Sequence, residues 1–505
     1  MVSRVAVAIM AVLAIMVGLV GLRGSSDGLR VTRTMVDSTP VTIFQPEQAA
    51  KRPVVVIAHG FAGSQQLMQP LAETLARNGY VAVTFDFLGH GRNPVPMHGD
   101  ISEGHAITTQ LLHELTAVSA YVRTLPESDG RMAVLGHSMA SDIVIRFAQA
   151  HPDLAATVVL SVFSPAITAT SPRNLLVIIG AFEPAMLTAE GLRIVNMVAD
   201  GKAVAGETYG RVEDGSARRL VLARGVEHIG VLYSKDSLEQ SVQWLNATFG
   251  RDQLGPIDSP GRWLGLLFLG LVALAWPLSA LLPRVTETYV GADLPWKRLL
   301  IAALAPALLT PLILWKLPTD FLPILLGDYL ALHFLLYGAL TAGLLFIWFR
   351  TKKRSPAAIA RTALVAAAIL IGAYNIAAIG LSIDAYLFSF MPIPARLPLI
   401  AAVACGTLPY FIADEWLTRG AQARLGAYAL TKVCFLLSLA AAVALNPMKL
   451  FFLVLIVPAI LLLFLAFGLI SSWSYQATRH PLPGAIANAA VFAWAIAVAF
   501  PMVIR

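Results

Sequence analysis

The chain has 505 residues, a formal net charge of +7 and 57% hydrophobic residues. Its mean hydropathy of +0.71 excludes an ordinary soluble protein. The apolarity is uneven. Residues 31–258 have the composition of a globular domain, long enough for one substantial core. Residues 262–503 are a series of apolar runs of about 18–28 residues each, enough to cross a hydrocarbon core of about 30 Å. Cys405 and Cys434 both lie in those runs, so disulfides do not hold the globular part together. No basic cluster suggests nucleic acid, and the positive balance is expected to report membrane topology.

In chain order, Val5–Leu22 is an apolar run preceded by Arg4. No small-residue cleavage site follows it, so residues 1–30 are expected to form an uncleaved signal anchor rather than a removed signal peptide. The run 53–58 reads as a buried strand and is followed by His59-Gly60-Phe61-Ala62-Gly63-Ser64. Leu67 to Asn78 has helical spacing and stops at Gly79. The run 80–85 is a second strand, leading into Asp86-Phe87-Leu88-Gly89-His90-Gly91-Arg92. A helix is expected over 106–125 and a strand over 132–135. The next residues are Gly136-His137-Ser138-Met139-Ala140, and 141–150 is again helical. A strand, a sharp turn centred on serine and a helix form the context of a nucleophile elbow, which exposes the hydroxyl on a strained backbone. Ala140 stands where such elbows usually carry glycine. Further strands are expected at 175–179 and 219–223, and the alternation argues for a parallel α/β sheet.

Three motifs in this order and spacing make residues 40–250 resemble the α/β-hydrolase family: the His59-Gly60 loop, the Asp86…Gly89-His90-Gly91 turn and the elbow from Gly136 to Ala140. The resemblance implies a mostly parallel sheet with flanking helices and a serine, acid, histidine order along the chain. Ser138 is then the nucleophile. Of the two histidines that follow it within the domain, His151 falls at a helix end, and His228 lies after the 219–223 strand, where the family keeps its base. Imidazole is suited to that role because it is neutral near working pH. Glu183, just past the 175–179 strand, is the expected acid, with Asp200 and Asp214 as weaker candidates. Glu227 is adjacent to His228, and neighbours on an extended chain point to opposite sides. The oxyanion hole implied by the family uses the backbone N–H groups of Phe61 and Met139. Asp86, His90 and His137 are expected to be structural. Only about ten residues, from Ser164-Pro165 to Asn174, separate the strand after the elbow helix from the acid strand, too few for a helical lid. No metal-ligand spacing and no glycine-rich phosphate loop is present, so neither metal nor cofactor is expected.

Eight spans are expected over residues 259–505, near 262–282, 298–315, 322–349, 363–388, 397–413, 427–446, 450–472 and 484–503. With the N-terminus in the cytoplasm, the inside loops carry Arg284, Lys297, Arg298, Arg350, Lys352, Lys353, Arg354, Arg361, Arg419, Arg424 and Arg479. The outside loops carry Lys316, Arg396 and Lys449. This is the positive-inside bias. It puts the globular domain outside the cytoplasm, on a multi-pass protein of the plasma or inner membrane. Polar residues within spans carry a functional prior. Asp328 and Asp384 fall toward the hydrolase side, as candidate substrate-binding residues. His333 lies in the same outer half of its span as Asp328, and Tyr374 and Asn375 lie deep in theirs. Asp414 and Glu415 with Arg419 read as a helix-end pair.

The expected protein is thus a membrane-bound serine hydrolase acting on an acyl ester of a lipid or lipid-linked substrate through Ser138, His228 and Glu183. An acyltransferase or a peptidase would use the same residues. From another class, the globular domain is the non-catalytic ligand-binding module of a transporter or sensor. The partners expected are the substrate and the bilayer.

Overall fold

A computed structural model describes residues 2–99, 104–252, 254–350 and 358–505. The basic residues Lys352, Lys353 and Arg354 lie outside them. Packing divides the chain into two compact units. One comprises residues 17–265, 383–389 and 501–505, and the other 1–16, 266–382 and 390–500. The composition boundaries at 30 and 258 are contiguous, whereas this division is not, because two short later segments pack with the hydrolase-like residues.

The first unit is built on a nine-stranded sheet. Its strands are β1 (Leu29–Val36), β2 (Thr39–Pro46), β3 (Arg52–Ala58), β4 (Val81–Phe85), β6 (Ser128–His137), β7 (Thr157–Leu160), β8 (Leu175–Gly180), β9 (Thr208–Tyr209) and β10 (Arg218–Ala223); β5 (Met97–His98) lies apart. The order is β1-β2-β4-β3-β6-β7-β8-β10-β9. The six strands from β4 to β10 run parallel, and β1, β2 and β9 are antiparallel additions at the edges. Strands β3, β4, β7 and β8 are almost entirely buried along their length. That explains their unbroken Val/Ile/Leu character, because helices cover both faces of a parallel sheet. Its helices are α2 (Gln69–Arg77), α3 (Gly104–Arg123), α4 (Met139–Ala150), α5 (Ala185–Asn196) and α6 (Lys235–Phe249), while α1 (Val2–Gly24) is divided between the two units. No helix interrupts 161–174. The segment 501–505 adds β11 (Val503–Ile504), parallel to β5.

The other unit is helical: α8 (Trp296–Leu314), α9 (Gly327–Phe349), α10 (Arg361–Ala373), α12 (Leu397–Thr418), α13 (Ala427–Leu445), α14 (Pro447–Leu450), α15 (Leu453–Thr478) and α16 (Leu482–Ala499), with α7 (Gly261–Leu278) and α11 (Leu381–Tyr386) divided between the units. Among the described residues nine helical stretches, counting 3–24, are long and apolar enough to cross a membrane. Their bounds shift by several residues from those expected: 394–418 replaces 397–413, and 456–478 replaces 450–472. Prolines 306, 311, 409 and 458 stay inside their helices. Residues 374–380 form a π-helical turn between α10 and α11.

The expected helix-end pair forms at the end of α12 and is buried. Glu415 accepts from Arg419 Nε at 2.8 Å, and Asp414 pairs with Lys432 from α13. Asn488 and the Gly468 carbonyl complete the group. Charges taken out of water persist only when paired in this way. Arg419 follows α12 as its C-cap, and Arg396 lies in the short turn that precedes it. The guanidinium of Arg396 is buried and donates to the carbonyls of Ala497 and Phe500.

Candidate active site

Ser138 sits between β6 and α4 with φ 54° and ψ −120°. This left-handed backbone costs a non-glycine residue on the order of 1–3 kcal/mol and persists only where its surroundings hold it. They do. The Ser138 N–H donates to Leu160 O at 2.9 Å on the neighbouring strand, and its carbonyl accepts from Ser141 N at 2.9 Å. Gly136 permits the turn, since a β-carbon there would stand 2.6 Å from Ala140 O. Ala140 therefore fits at the fifth position, and glycine is required at the first.

The hydroxyl lies 3.0 Å from His228 Nε2, and His228 Nδ1 lies 3.1 Å from Glu183 Oε2. Glu183 is acceptor-only, so Nδ1 carries the hydrogen and Nε2 is left to accept from Ser138. The Glu183 carboxylate is buried, and its other oxygen accepts from Ser161 Oγ at 2.6 Å and Gly180 N at 3.0 Å. The loop carrying His228 is tied to the acid strand by Phe182 N donating to Val226 O at 3.0 Å. Glu227 turns away from the site and caps the next turn through the N–H groups of Ile229 and Gly230. Asp200 lies exposed on a turn, and Asp214 holds Ser216.

His137 has a longer reach than the local packing expected of it. Its Nε2 donates to the carbonyl of His228 at 2.9 Å, tying the elbow to the base loop across 91 positions. Burial holds its pKa well below the ordinary value, and His228 adds to that, so the ring is neutral. His59 is likewise pushed down by burial. Its Nε2 accepts from Phe87 N and its Nδ1 donates to Gly60 O, which orients the 59–64 loop. That loop runs against the nucleophile, because a β-carbon on Gly60 would stand 2.9 Å from Ser138 Cβ. Phe61 follows, its ring edge-on to His90. Met139 is the first residue of α4, where a backbone N–H has no acceptor within its own helix. His151 is the half-exposed C-cap of α4 and stacks on Phe147.

Asp86 anchors the same region by accepting from Gln65 N, Gln65 Nε2 and Arg92 N. Behind it, buried Glu114 accepts from Thr39 Oγ1, Asn93 Nδ2 and Leu88 N. Burial pushes the Glu114 carboxyl from its ordinary 4.5 up to about 7, against those three donors. A carboxyl raised on folding contributes stability that is complete below the unfolded value and lost as pH rises through the folded one. The thermal midpoint is therefore expected to fall between about pH 4.5 and pH 7, and Glu114→Gln should flatten that slope. Melts of both proteins at pH 5 and pH 8 decide it, and equal slopes would remove Glu114 as the cause.

The two carboxylates considered for substrate have other partners. Asp384 pairs with Arg92 at 2.6 Å inside the hydrolase-like unit. Asp328 belongs to the helical unit and accepts from the backbone N–H groups of Phe321 and Tyr329. Among the described residues no group of three His, Cys, Asp or Glu side chains is placed to hold a metal ion.

A mostly parallel sheet with a strained serine between β6 and α4 is the architecture of an α/β-hydrolase domain. Residues 49–201 match the family model described as serine aminopeptidase, S33. That stretch includes the 59–64 loop, the elbow and Glu183, while His228 lies beyond it. Over 120 residues the chain is 30% identical to cutinase 1 of Thermobifida cellulosilytica, covering 24% of this chain and 43% of that protein. It is also 30% identical over 120 residues to the cutinase of Thermobifida fusca, covering 24% and 38%. The chain spans less than half the length of these curated relatives. Among solved structures, TT1662 from Thermus thermophilus aligns with a TM-score of 0.34 at 13% identity, over 44% of this chain and 99% of that one. The family match and the cutinase likeness both fall on the hydrolase-like part of the chain.

Proposed function

We propose that the chain is a membrane-bound serine hydrolase that cleaves an acyl ester of an apolar, lipid or lipid-linked substrate. The observation that carries this reading is the hydrogen-bonded series Ser138 Oγ, His228 Nε2, His228 Nδ1 and Glu183 Oε2, built on a strained elbow. In this reading Ser138 Oγ attacks the ester carbonyl while His228 takes its proton. The backbone N–H groups of Phe61 and Met139 hold the oxyanion, and His228 returns the proton to the departing alcohol. Water, deprotonated by His228, then attacks the acyl-enzyme and frees the acid and the serine. Glu183 keeps the imidazole in the required tautomer and offsets its charge.

The substrate class is supported by the rim of the site. Phe163, Phe182, Met186 and Ile229 are 60%, 72%, 56% and 39% exposed, and each lies within three residues of Ser161, Glu183 or His228. Large exposed apolar side chains next in sequence to the acid and the base suit an apolar acyl group. The multi-pass arrangement is supported by the nine apolar helices. Counting them in order, residues 387–389 and 501–505 fall on the same side of the membrane as residues 25–260, in keeping with their packing in one unit. The basic loops at Arg284, Lys297, Arg298, Arg350, Arg361, Arg424 and Arg479 favour the cytoplasm for the opposite side.

The description of the matched family favours a second reading, hydrolysis of an aminoacyl bond by the same serine. Intact cells treated with a membrane-impermeant fluorophosphonate separate the possibilities. Wild-type protein is expected to label, and Ser138→Ala and His228→Ala are not. Labelling only after lysis would invert the topology, and none in either condition would favour a ligand-binding module. Purified protein given acyl esters of increasing chain length and aminoacyl anilides then distinguishes esterase from peptidase.

A further inference from the structure

We propose that Asp384 and Ser389 are positioning residues for the oxyanion loop, so that the stretch following α10 and its π-helical turn completes the catalytic unit. The proposal rests on the serine hydrolase reading. Residues 383–389 pack as part of the hydrolase-like unit, although they are remote in sequence from the rest of it. Ser389 N donates to Ser64 Oγ at 2.9 Å, and Ser389 Oγ donates to Gln66 Oε1 at 2.9 Å. Ser64, Gln66 and Ser389 are all buried. Asp384 Oδ2 accepts from Arg92 Nη2 at 2.6 Å. The backbone N–H of the same arginine donates to Asp86 Oδ2 at 3.0 Å, and Asp86 Oδ1 accepts from Gln65 N at 2.8 Å. Both routes end on residues 64–66, the far side of the loop that begins at Gly60 against Ser138.

That loop is tight. Gly63 N donates to Gly60 O at 3.1 Å, and Ala62 has φ 55°, a conformation an alanine keeps only under constraint. It carries Phe61, whose N–H must meet the developing oxyanion. A donor displaced by about 1 Å loses most of its effect, and loss of one oxyanion donor costs roughly 10²–10³-fold in turnover. The 384–389 stretch lies at the end of a candidate span, Arg361–Tyr386, so its position depends on a segment outside the hydrolase sequence pattern.

The test uses the full chain in detergent micelles, as wild type, Asp384→Asn, Ser389→Ala and the double variant. A charge swap combines Arg92→Asp with Asp384→Arg. Two readouts are taken: the rate of fluorophosphonate labelling at Ser138 with kcat and KM for a short acyl ester, and hydrogen exchange of the amides in 60–66. Each single variant is expected to slow labelling and kcat about tenfold and the double variant about a hundredfold. KM and the midpoint of the pH–rate profile should stay in place, because His228 and Glu183 are untouched. Exchange in 60–66 should rise in the variants and recover in the swap. Unchanged exchange in 60–66 overturns the proposal, as does a rise spread evenly over the unit with a lowered melting temperature. If the wild type neither labels nor turns over ester, the hydrolase reading fails, and the exchange data still decide whether 384–389 holds the loop.

Discussion

Replacing Ser138 with alanine will lower ester turnover by roughly 10⁴- to 10⁶-fold while leaving the fold intact. The side chain is small and partly exposed, and its only hydrogen-bond partner in the relay is His228 Nε2. Alanine removes the nucleophile without opening a cavity, and it tolerates the positive φ no worse than serine. His228→Ala should cost about as much, and the double variant little more, because serine and base act as one unit. Turnover of a chromogenic ester, measured beside the melting temperature, checks this. If Ser138→Ala keeps more than a tenth of wild-type activity at an unchanged midpoint, the elbow is not the source of the reaction and the binding-module reading takes its place.

Gly136→Val should prevent the first unit from folding. The position lies in β6, paired on both sides, with β3 at Ala58 and with β7 at Val159. A β-carbon there would stand 2.6 Å from Ala140 O and 2.8 Å from both Ala140 C and Val144 Cγ2. Two of these neighbours are backbone atoms of the helix that carries the elbow, so they cannot give way without unwinding it. Overpacking of this kind against backbone is expected to cost on the order of 4 kcal/mol or more, against a total stability of about 5–15 kcal/mol. Gly265→Ala is the control, since nothing lies within 4 Å of its added carbon. Expression and melting of the two variants read the difference. A Gly136→Val protein that melts with wild type would mean that β6 and α4 do not meet as described.

The elements around the serine were legible because their signals are local. Unbroken apolar runs mark β3, β4 and β8, and small residues mark the turn at Gly136. His228, selected by its place along the chain, lies within hydrogen-bonding distance of both Ser138 and Glu183. What the sequence hid were meetings between distant polar groups. Asp384 and Arg92 are 292 positions apart, and no periodicity links them. Lys432 reads as one charge in an apolar run, and only the packing of α13 on α12 reveals Asp414 opposite it. His137 looked like elbow packing, yet its partner is the backbone of the base loop. Hydropathy finds that a helix is apolar; it does not say which of its few polar side chains will meet.

The pairing of β11 with β5 has a bearing on how the protein is made. Met97 N donates to Met502 O, Gly99 N to Ile504 O and Met502 N to Gly89 O. These partners are about 400 residues apart, and ordering so distant a pair is slow because the entropy of closing the intervening chain comes before any gain from contact. A ribosome delivers residues 89–99 early and residues 501–505 only after the nine apolar helices have been synthesised. Residues 501–505 therefore join the hydrolase-like unit only after most of it has been made. Until then β5 lacks the strand it pairs with.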